Sequence, residues 1–463
     1  MELANLEDIR RATAALATRS SEAIDRLVWT GVFGSGALRD AARTAIFEQC
    51  RSVGLYPASI HELYLARGRG EAPHDFTVPA INIRGMAYDT ARALFRARKA
   101  LDAGAVICEI ARSEISYTDQ RPAEYTFVVL AAALREGWTG PVFLQGDHFQ
   151  INAKKYLADP KSEMATVLDL TAEAITAGFY NIDVDTSTLV DLSHDGHEAQ
   201  QAVNGGLCAE ITAFIRKHTP RGVTVSVGGE IGEVGGKNST PEELRAFMKV
   251  YLDALEKLGS GFSGISKISI QTGTSHGGVP LPDGSIAQVQ IDFDALGACS
   301  RIAREEYGLA GAVQHGASTL PAELFDRFPQ LGACEIHLAT EFQNMLFDAS
   351  SFPTALKRDI YEKLRTSEAS ERKSSDTDEQ FFYKTRKKAL GTFKRELWGL
   401  PADARRPIGQ ALEDKFHFLL TQLRAGNTRK LAERFAPFVD GSFPAVGEAV
   451  TARGPEDVTG LHD

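Results

Sequence analysis

A (β/α)8 TIM barrel with helical N-terminal and C-terminal extensions is the fold this sequence predicts, and three observations predict it. Between residues 76 and 342, short apolar runs rich in Val and Ile alternate with longer segments whose apolar residues recur at helical spacing. The runs number eight in about 265 residues, the usual span of such a barrel. Polar residues gather at the C-terminal ends of runs three to eight. A closed barrel converges those ends on one site, whereas an open doubly wound sheet spreads them out.

In order the runs are "TVPAINI", "AVICEIA", "PVFLQGDH", "YNIDVDTS", "VTVSVGGEIG", "ISKISIQTG", "AGAVQHGAS" and "CEIHLATE". Their near-continuous apolar character fits parallel strands covered by helices. Segments such as "DTARALFRARKALDAG", "EYTFVVLAAALREG", "EMATVLDLTAEAITAG" and "PEELRAFMKVYLDALEKLG" read as crossover helices, several closed by the Gly of a helix stop. Residues 1–75 read as a helical N-terminal extension, 76–349 as the barrel, and 350–463 as a helical C-terminal region. That last region is interrupted by a polar stretch near 366–379, read as a loop or linker.

With 463 residues, 43% of them hydrophobic, the chain can bury one large core or two moderate ones. A formal net charge of -10 argues against nucleic-acid binding through the bulk field. Cys50, Cys108, Cys208, Cys299 and Cys334 are dispersed, odd in number and form no metal-binding pair. They read as reduced, buried residues of a cytoplasmic protein. The start "MELANLEDIRRATAAL" lacks the cationic and apolar stretches of a secretory signal, and no apolar run is long enough to span a membrane. The expected partner is therefore a small molecule, with neither nucleic acid nor membrane involved.

Three histidines recur at or just beyond predicted strand ends: His148 in "GDHFQ", His276 in "TGTSHGG" and His315 in "VQHGAS". Each alone is unremarkable; three neutral imidazoles with one open position make a catalytic zinc site. Asp147 precedes the first, Asp185 ends the fourth strand and Glu230 ends the fifth. Such acids commonly cap the next helix, but their convergence with three histidines favours catalysis. "SHGG" and "HGAS" put Gly and Ser directly after two proposed ligands, on late strands where backbone N–H groups receive phosphate.

In this order the motifs resemble those of the class II, metal-dependent ketose-bisphosphate aldolases, the family of fructose- and tagatose-bisphosphate aldolases. The likeness runs from about residue 76 to 342 through "QGDHF", "GFYNIDVDTS", "GGEIGEVGG", "TGTSHG", "QHGAST" and "CEIHLATE". It implies zinc, or another divalent metal, on His148, His276 and His315, where it stabilises the enediolate of dihydroxyacetone phosphate; a monovalent cation is also compatible. It implies that Asp147 exchanges the proton of the aldehyde oxygen, and that Glu230 and Asp185 orient ligands or offer the metal an alternate position. Gly277, Gly316, Ser318 and Thr340 would hold phosphate. Arg386, in "FYKTR", would reach a substrate phosphate, often in the neighbouring subunit of a dimer or higher homo-oligomer.

The chain departs from the family in two places. His337 stands where the family has an Asn that helps stabilise the enediolate; hydrogen-bond donor, outer metal ligand and satisfied core histidine are all open roles. Asn238, preceded by Lys237, stands where the family carries a mobile Glu as proton carrier, and Asn cannot be a general base. Glu233 in the same loop is the expected replacement, ahead of Glu242 and Glu243, which sit at the next helix start. His194 and His197 belong to a polar loop. The resulting expectation is a zinc-dependent aldolase of carbohydrate metabolism, such as glycolysis, acting on a ketose 1,6-bisphosphate. Alternatives are an aldol lyase for another phosphorylated ketose and a non-catalytic companion subunit that binds sugar phosphate; the latter would be expected to lose its metal ligands.

Overall fold

The computed structural model describes residues 2–232, 237–273, 281, 291–444, 446, 456 and 458–461. All eight predicted runs are strands. They are β2 (Val78–Asn82), β3 (Ile107–Ala111), β4 (Gly140–Gln150), β5 (Asn181–Asp185), β6 (Ser226–Glu230), β7 (Lys267–Ile270), β8 (Ala312–Gln314) and β9 (Glu335–Leu338). Every neighbour is parallel, and β4 pairs β5 to close the ring into an eight-stranded barrel. The wall is buried throughout because crossover helices such as Ala87–Ala100, Pro122–Arg135 and Pro241–Leu258 cover its outer face.

Local chemistry fixes these helices. In Pro241–Leu258, the Thr240 side chain accepts from the Glu243 N–H, the Glu243 carboxylate accepts from the Thr240 N–H, and Pro241 occupies the first turn. Asp159 caps Pro160–Thr176 in the same manner, accepting from the Ser162 N–H.

The first 75 residues are not wholly helical, contrary to expectation. After helices Leu6–Leu16, Ser21–Phe33 and Gly36–Ser52 comes a short strand, β1 (Leu55–Ala58), parallel to the first residues of β4. Its run "LYPA" holds a Pro and is too short to show a period, so only tertiary pairing makes it a strand. Asn181 locks it in place, accepting from the Ile60 N–H at 2.9 Å and donating to the carbonyls of Ala58 and Leu144. Helix His61–Gly68 then floors the barrel, setting Leu63 and Tyr64 among Val78, Ile107, Phe143 and Val313. The polar stretch near 366–379 contains a 3-10 turn at Ala369–Glu371 and ion pairs from Arg365 and Arg372 to Asp378.

Gly68 marks the tightest point of this floor. A Cβ there would lie 1.9 Å from the backbone oxygen of Gly308, which has no flexible side chain to move aside. Gly68→Ala should therefore lower the urea midpoint, with a loss of about 1–3 kcal/mol or more.

Candidate active site

In a regular strand, neighbouring side chains point to opposite faces, so Asp147 and His148 could not both enter the barrel. The structure resolves this with a bulge. The register of β4 on β5 shifts between Gly146 and Phe149, and His148 takes the left-handed φ of 39°. Gly146 is required because the Phe149 ring occupies the space of its missing Cβ, at 2.4 Å. Both side chains then meet in the barrel mouth.

His148, Glu230 and His315 each offer a ligand atom within 4.8 Å of the others, all buried. The rings of His148 and His315 lie 4.2 Å apart, centroid to centroid. Asp185 meets His148 Nδ1 at 3.1 Å and is itself held by the Ser187 hydroxyl at 2.7 Å and the Gln150 amide at 2.5 Å. This bond fixes the ring orientation, and the same Nδ1 lies 3.4 Å from Glu230. Two imidazoles and a carboxylate suit zinc or another borderline divalent metal. His276, Gly277 and Glu233 lie outside the described residues.

Asp147 lies 3.8 Å from His148 Nε2 and 3.7 Å from His315 Nε2. Asn82 donates to it at 2.8 Å, and His337 Nδ1 lies 3.2 Å away. Burial alone would raise its pKa, but the charges of His148 and His337 outweigh burial and hold it well below the usual carboxylate range. Burial alone would lower both imidazoles, but Asp147 and Glu230 hold His148, and Glu109 and Asp147 hold His337, well above the usual imidazole range. A metal entering this site would displace the His148 proton.

Beneath lies a charged layer that motif reading did not single out: Glu109, Asp183, Lys267 and Glu335. Lys267 donates to Glu335 at 2.5 Å, to Gln145 at 2.9 Å and to Asp183 at 3.0 Å. His337 touches Glu335 at 2.7 Å and Glu109 at 3.1 Å. Lys267 is a buried lysine on the sixth barrel strand, the kind of group that could form a Schiff base. Burial favours its neutral form, but Asp183 and Glu335 outweigh this and hold it protonated, hence not nucleophilic. A signal was present in the sequence, since charges alternate with apolar residues in "ICEIA", "NIDVD", "KISI" and "EIHL".

The remaining candidates are spread out. Gly316, at φ 67°, and the buried Ser318 follow β8, and Thr340 follows β9. Arg386 is not brought to the histidines within this chain. It holds Asp348 through two bonds, at 2.7 and 3.0 Å, and lines a cavity of about 970 Å³ with Tyr361 and Tyr383. Asn238 donates to Asp292 at 3.1 Å. Glu243 serves its capping box and Glu242 pairs with Arg245, so both helix-start acids have structural partners. His194 and His197 lie in the loop and short helix after β5, beside Asp191 and Gln200.

Burial pushes Glu109 up to about 8 and Glu230 up to about 7, partly offset by His337 and His148 respectively. A raised folded-state pKa means that the native state keeps a proton the unfolded chain has lost. Stability therefore falls as pH rises from about 4.3 through those values, by up to about 1.4 kcal/mol per pH unit for each group. The raised His148 and His337 act in the same direction above about pH 6.5. Urea unfolding of metal-free protein should show higher stability at pH 5 than at pH 8, and Glu109→Gln should flatten the slope.

A family model described as fructose-bisphosphate aldolase class-II matches residues 71–395, extending the likeness beyond the barrel on both sides. Among solved structures, a probable tagatose 6 phosphate kinase from Sinorhizobium meliloti 1021 superposes with a TM-score of 0.54 at 17% identity, over 77% of this chain and 100% of that one. A fructuronate-tagaturonate epimerase from Cohnella laeviribosi gives 0.51 at 12% identity, over 86% of each chain. A fructose-bisphosphate aldolase from Campylobacter jejuni gives 0.48 at 17% identity, over 80% of this chain and 96% of that one. At these identities the first two likenesses support the fold alone. The family match spans most of the sequence and includes the bulged Asp-His pair, and the chain belongs to the class-II fructose-bisphosphate aldolase family.

Proposed function

We propose that this protein is a zinc-dependent, aldolase-type carbon–carbon lyase acting on a phosphorylated ketose, with a ketose 1,6-bisphosphate the expected substrate. The observation that carries the reading is the β4 bulge, which aims a proton-transfer carboxylate and an imidazole into one buried pocket beside His315 and Glu230. His148, His315 and Glu230, with His276, would hold the metal. Zinc bound there would supply Lewis-acid polarisation of the ketose oxygens.

Asp147 is ionised and fixed by Asn82, so in the cleavage direction it can accept the proton of the substrate hydroxyl whose carbon becomes the aldehyde. His337 touches the same carboxylate and stabilises its charge. Gly316 and Ser318, with Gly277, would receive the phosphate through backbone N–H and hydroxyl donors. A non-catalytic companion subunit fits less well, because the proposed ligands are retained. The same reading expects a cytoplasmic homodimer or higher oligomer serving carbohydrate metabolism; no described helix is long and apolar enough to cross a membrane.

One observation favours a second reading. Net cleavage requires a proton to be delivered to the enediolate carbon, and Asn238, at the family's proton-carrier position, donates to Asp292 instead. Cleavage followed by re-addition of the aldehyde through its opposite face needs no such proton and gives an epimer. An epimerase is among the proteins of similar fold.

Metal-stripped protein should lose activity and recover it with zinc. His315→Ala should remove metal and activity together, read by metal analysis and a triose-release assay; stoichiometric zinc in that variant would refute the ligand assignment. Asp147→Asn should keep the metal and lower turnover about 10²- to 10⁴-fold. Running the reaction in D2O separates the readings. Cleavage yields triose carrying solvent deuterium, whereas re-addition yields an epimer without it.

A further inference from the structure

A left-handed φ at a non-glycine residue persists only where the flanking chain is held firmly, and His148 has that conformation near the end of β4. Before the bulge, the ladders to β3 and β5 hold the strand. After it, residues 150–152 leave the strand and are gripped from two sides. On the β5 side, the Ile151 N–H donates to the Asp185 carbonyl at 2.8 Å and the Thr188 hydroxyl donates to the Ile151 carbonyl at 2.8 Å. On the β3 side the grip is Arg112.

Arg112 directly follows β3 and is 1% exposed. Its Nη1 donates to the Gln150 carbonyl at 2.5 Å and to Glu163 at 2.6 Å. Glu163, from the helix Pro160–Thr176, also accepts from the Asn152 N–H at 2.9 Å. The other edge of the guanidinium faces the C-terminal tail. Nη2 and Nε donate to the two carboxylate oxygens of Glu456, the Nε bond at 3.3 Å, so the fork is filled by a carboxylate on each side. Two further bonds anchor the tail. The Ser116 hydroxyl donates to the Glu456 carbonyl at 3.0 Å, and the Asn152 side-chain amide donates to the Thr459 carbonyl at 2.9 Å.

The gripped residues lead to the proposed metal ligands. Gln150, whose carbonyl Arg112 holds, donates through its side chain to Asp185 at 2.5 Å, and Asp185 meets His148 Nδ1 at 3.1 Å. A guanidinium this buried that lost one of its two carboxylates would shift onto the other or towards water, and the Gln150 carbonyl would lose its donor.

We propose that Glu456 and Arg112 are positioning residues of the metal site: the C-terminal tail is a strap that clamps the exit of the β4 bulge and so sets the ring of His148. This rests on the reading of His148, His315 and Glu230 as metal ligands. It gives a part in the site to a segment beyond residue 395, where the family match ends.

Zinc affinity of the full-length protein, measured by chelator competition, tests this without turnover. Glu456→Ala and Arg112→Lys should each weaken zinc binding about tenfold or more, the usual cost of removing a group that orients a ligating histidine. Lys keeps the charge but cannot fill the fork. Because both residues act through one clamp, the double variant should fall within about twofold of the weaker single variant. The visible spectrum of the cobalt-substituted protein should shift in all three variants. Lower thermal stability with unchanged zinc affinity and cobalt spectrum would show a structural pairing only and overturn the proposal, as would losses that multiply in the double variant. Should Arg112→Lys fail to fold, Glu456→Ala, at a side chain 23% exposed, decides by the same two measurements. Wild-type protein that binds no zinc would remove the metal-site reading itself, whereas tight wild-type binding unaffected by Glu456→Ala would overturn the strap alone.

Discussion

The Lys267 ammonium is the interaction on which the interior of this barrel depends. It reaches Glu335 and Asp183 and also donates to Gln145, so one cation ties the third, fourth, sixth and eighth barrel strands together. A closed barrel must fill its inward positions, and apolar layers are the usual solution. Here Glu109, Asp183 and Glu335 occupy such positions, which is tolerable only if each charge is matched or protonated. Lys267 matches two of them and the raised pKa of Glu109 covers the third.

This layer supports the pocket above it. His337 bridges the two, touching Glu335 below and Asp147 above. Asp147 is thereby fixed from one side by an imidazole and from the other by Asn82. The bulge in β4 completes the arrangement by turning two consecutive residues inward. The backbone strain at His148 is held by the pairing on both sides of β4 and by the Phe149 ring against Gly146.

Departures from the family pattern fall on the proton economy of the site rather than on its fold. At position 337 an imidazole adds a titratable group beside Asp147, and at 238 an amide replaces a carboxylate. In the function proposed, both changes bear on where protons come from and go to, which separates net cleavage from cleavage with re-addition. The barrel ladder is indifferent to both side chains, since His337 pairs with Ala80 through its backbone and Asn238 lies outside the strands.

The eight strands were legible in the sequence because burial on both faces forces continuous apolar runs, and the Asp-His, Glu-Gly and His-Gly motifs were legible because they punctuate those runs. Strand β1 was not legible, since four residues with a Pro carry no periodicity and only β4 makes them a strand. The charged layer was half-visible, as alternating acids in strand runs, but which acid meets Lys267 depends on register across the barrel. Within "TRKKA" the structure sends adjacent cations to different places: Arg386 meets Asp348, while Lys387 lies over the Tyr117 ring. Sequence determined the residue types and their order along each strand, because local periodicity encodes burial. Tertiary structure alone decided which side chains share space, because barrel closure and the docking of the C-terminal segment join residues some three hundred positions apart, as Gly85 and Leu390 are.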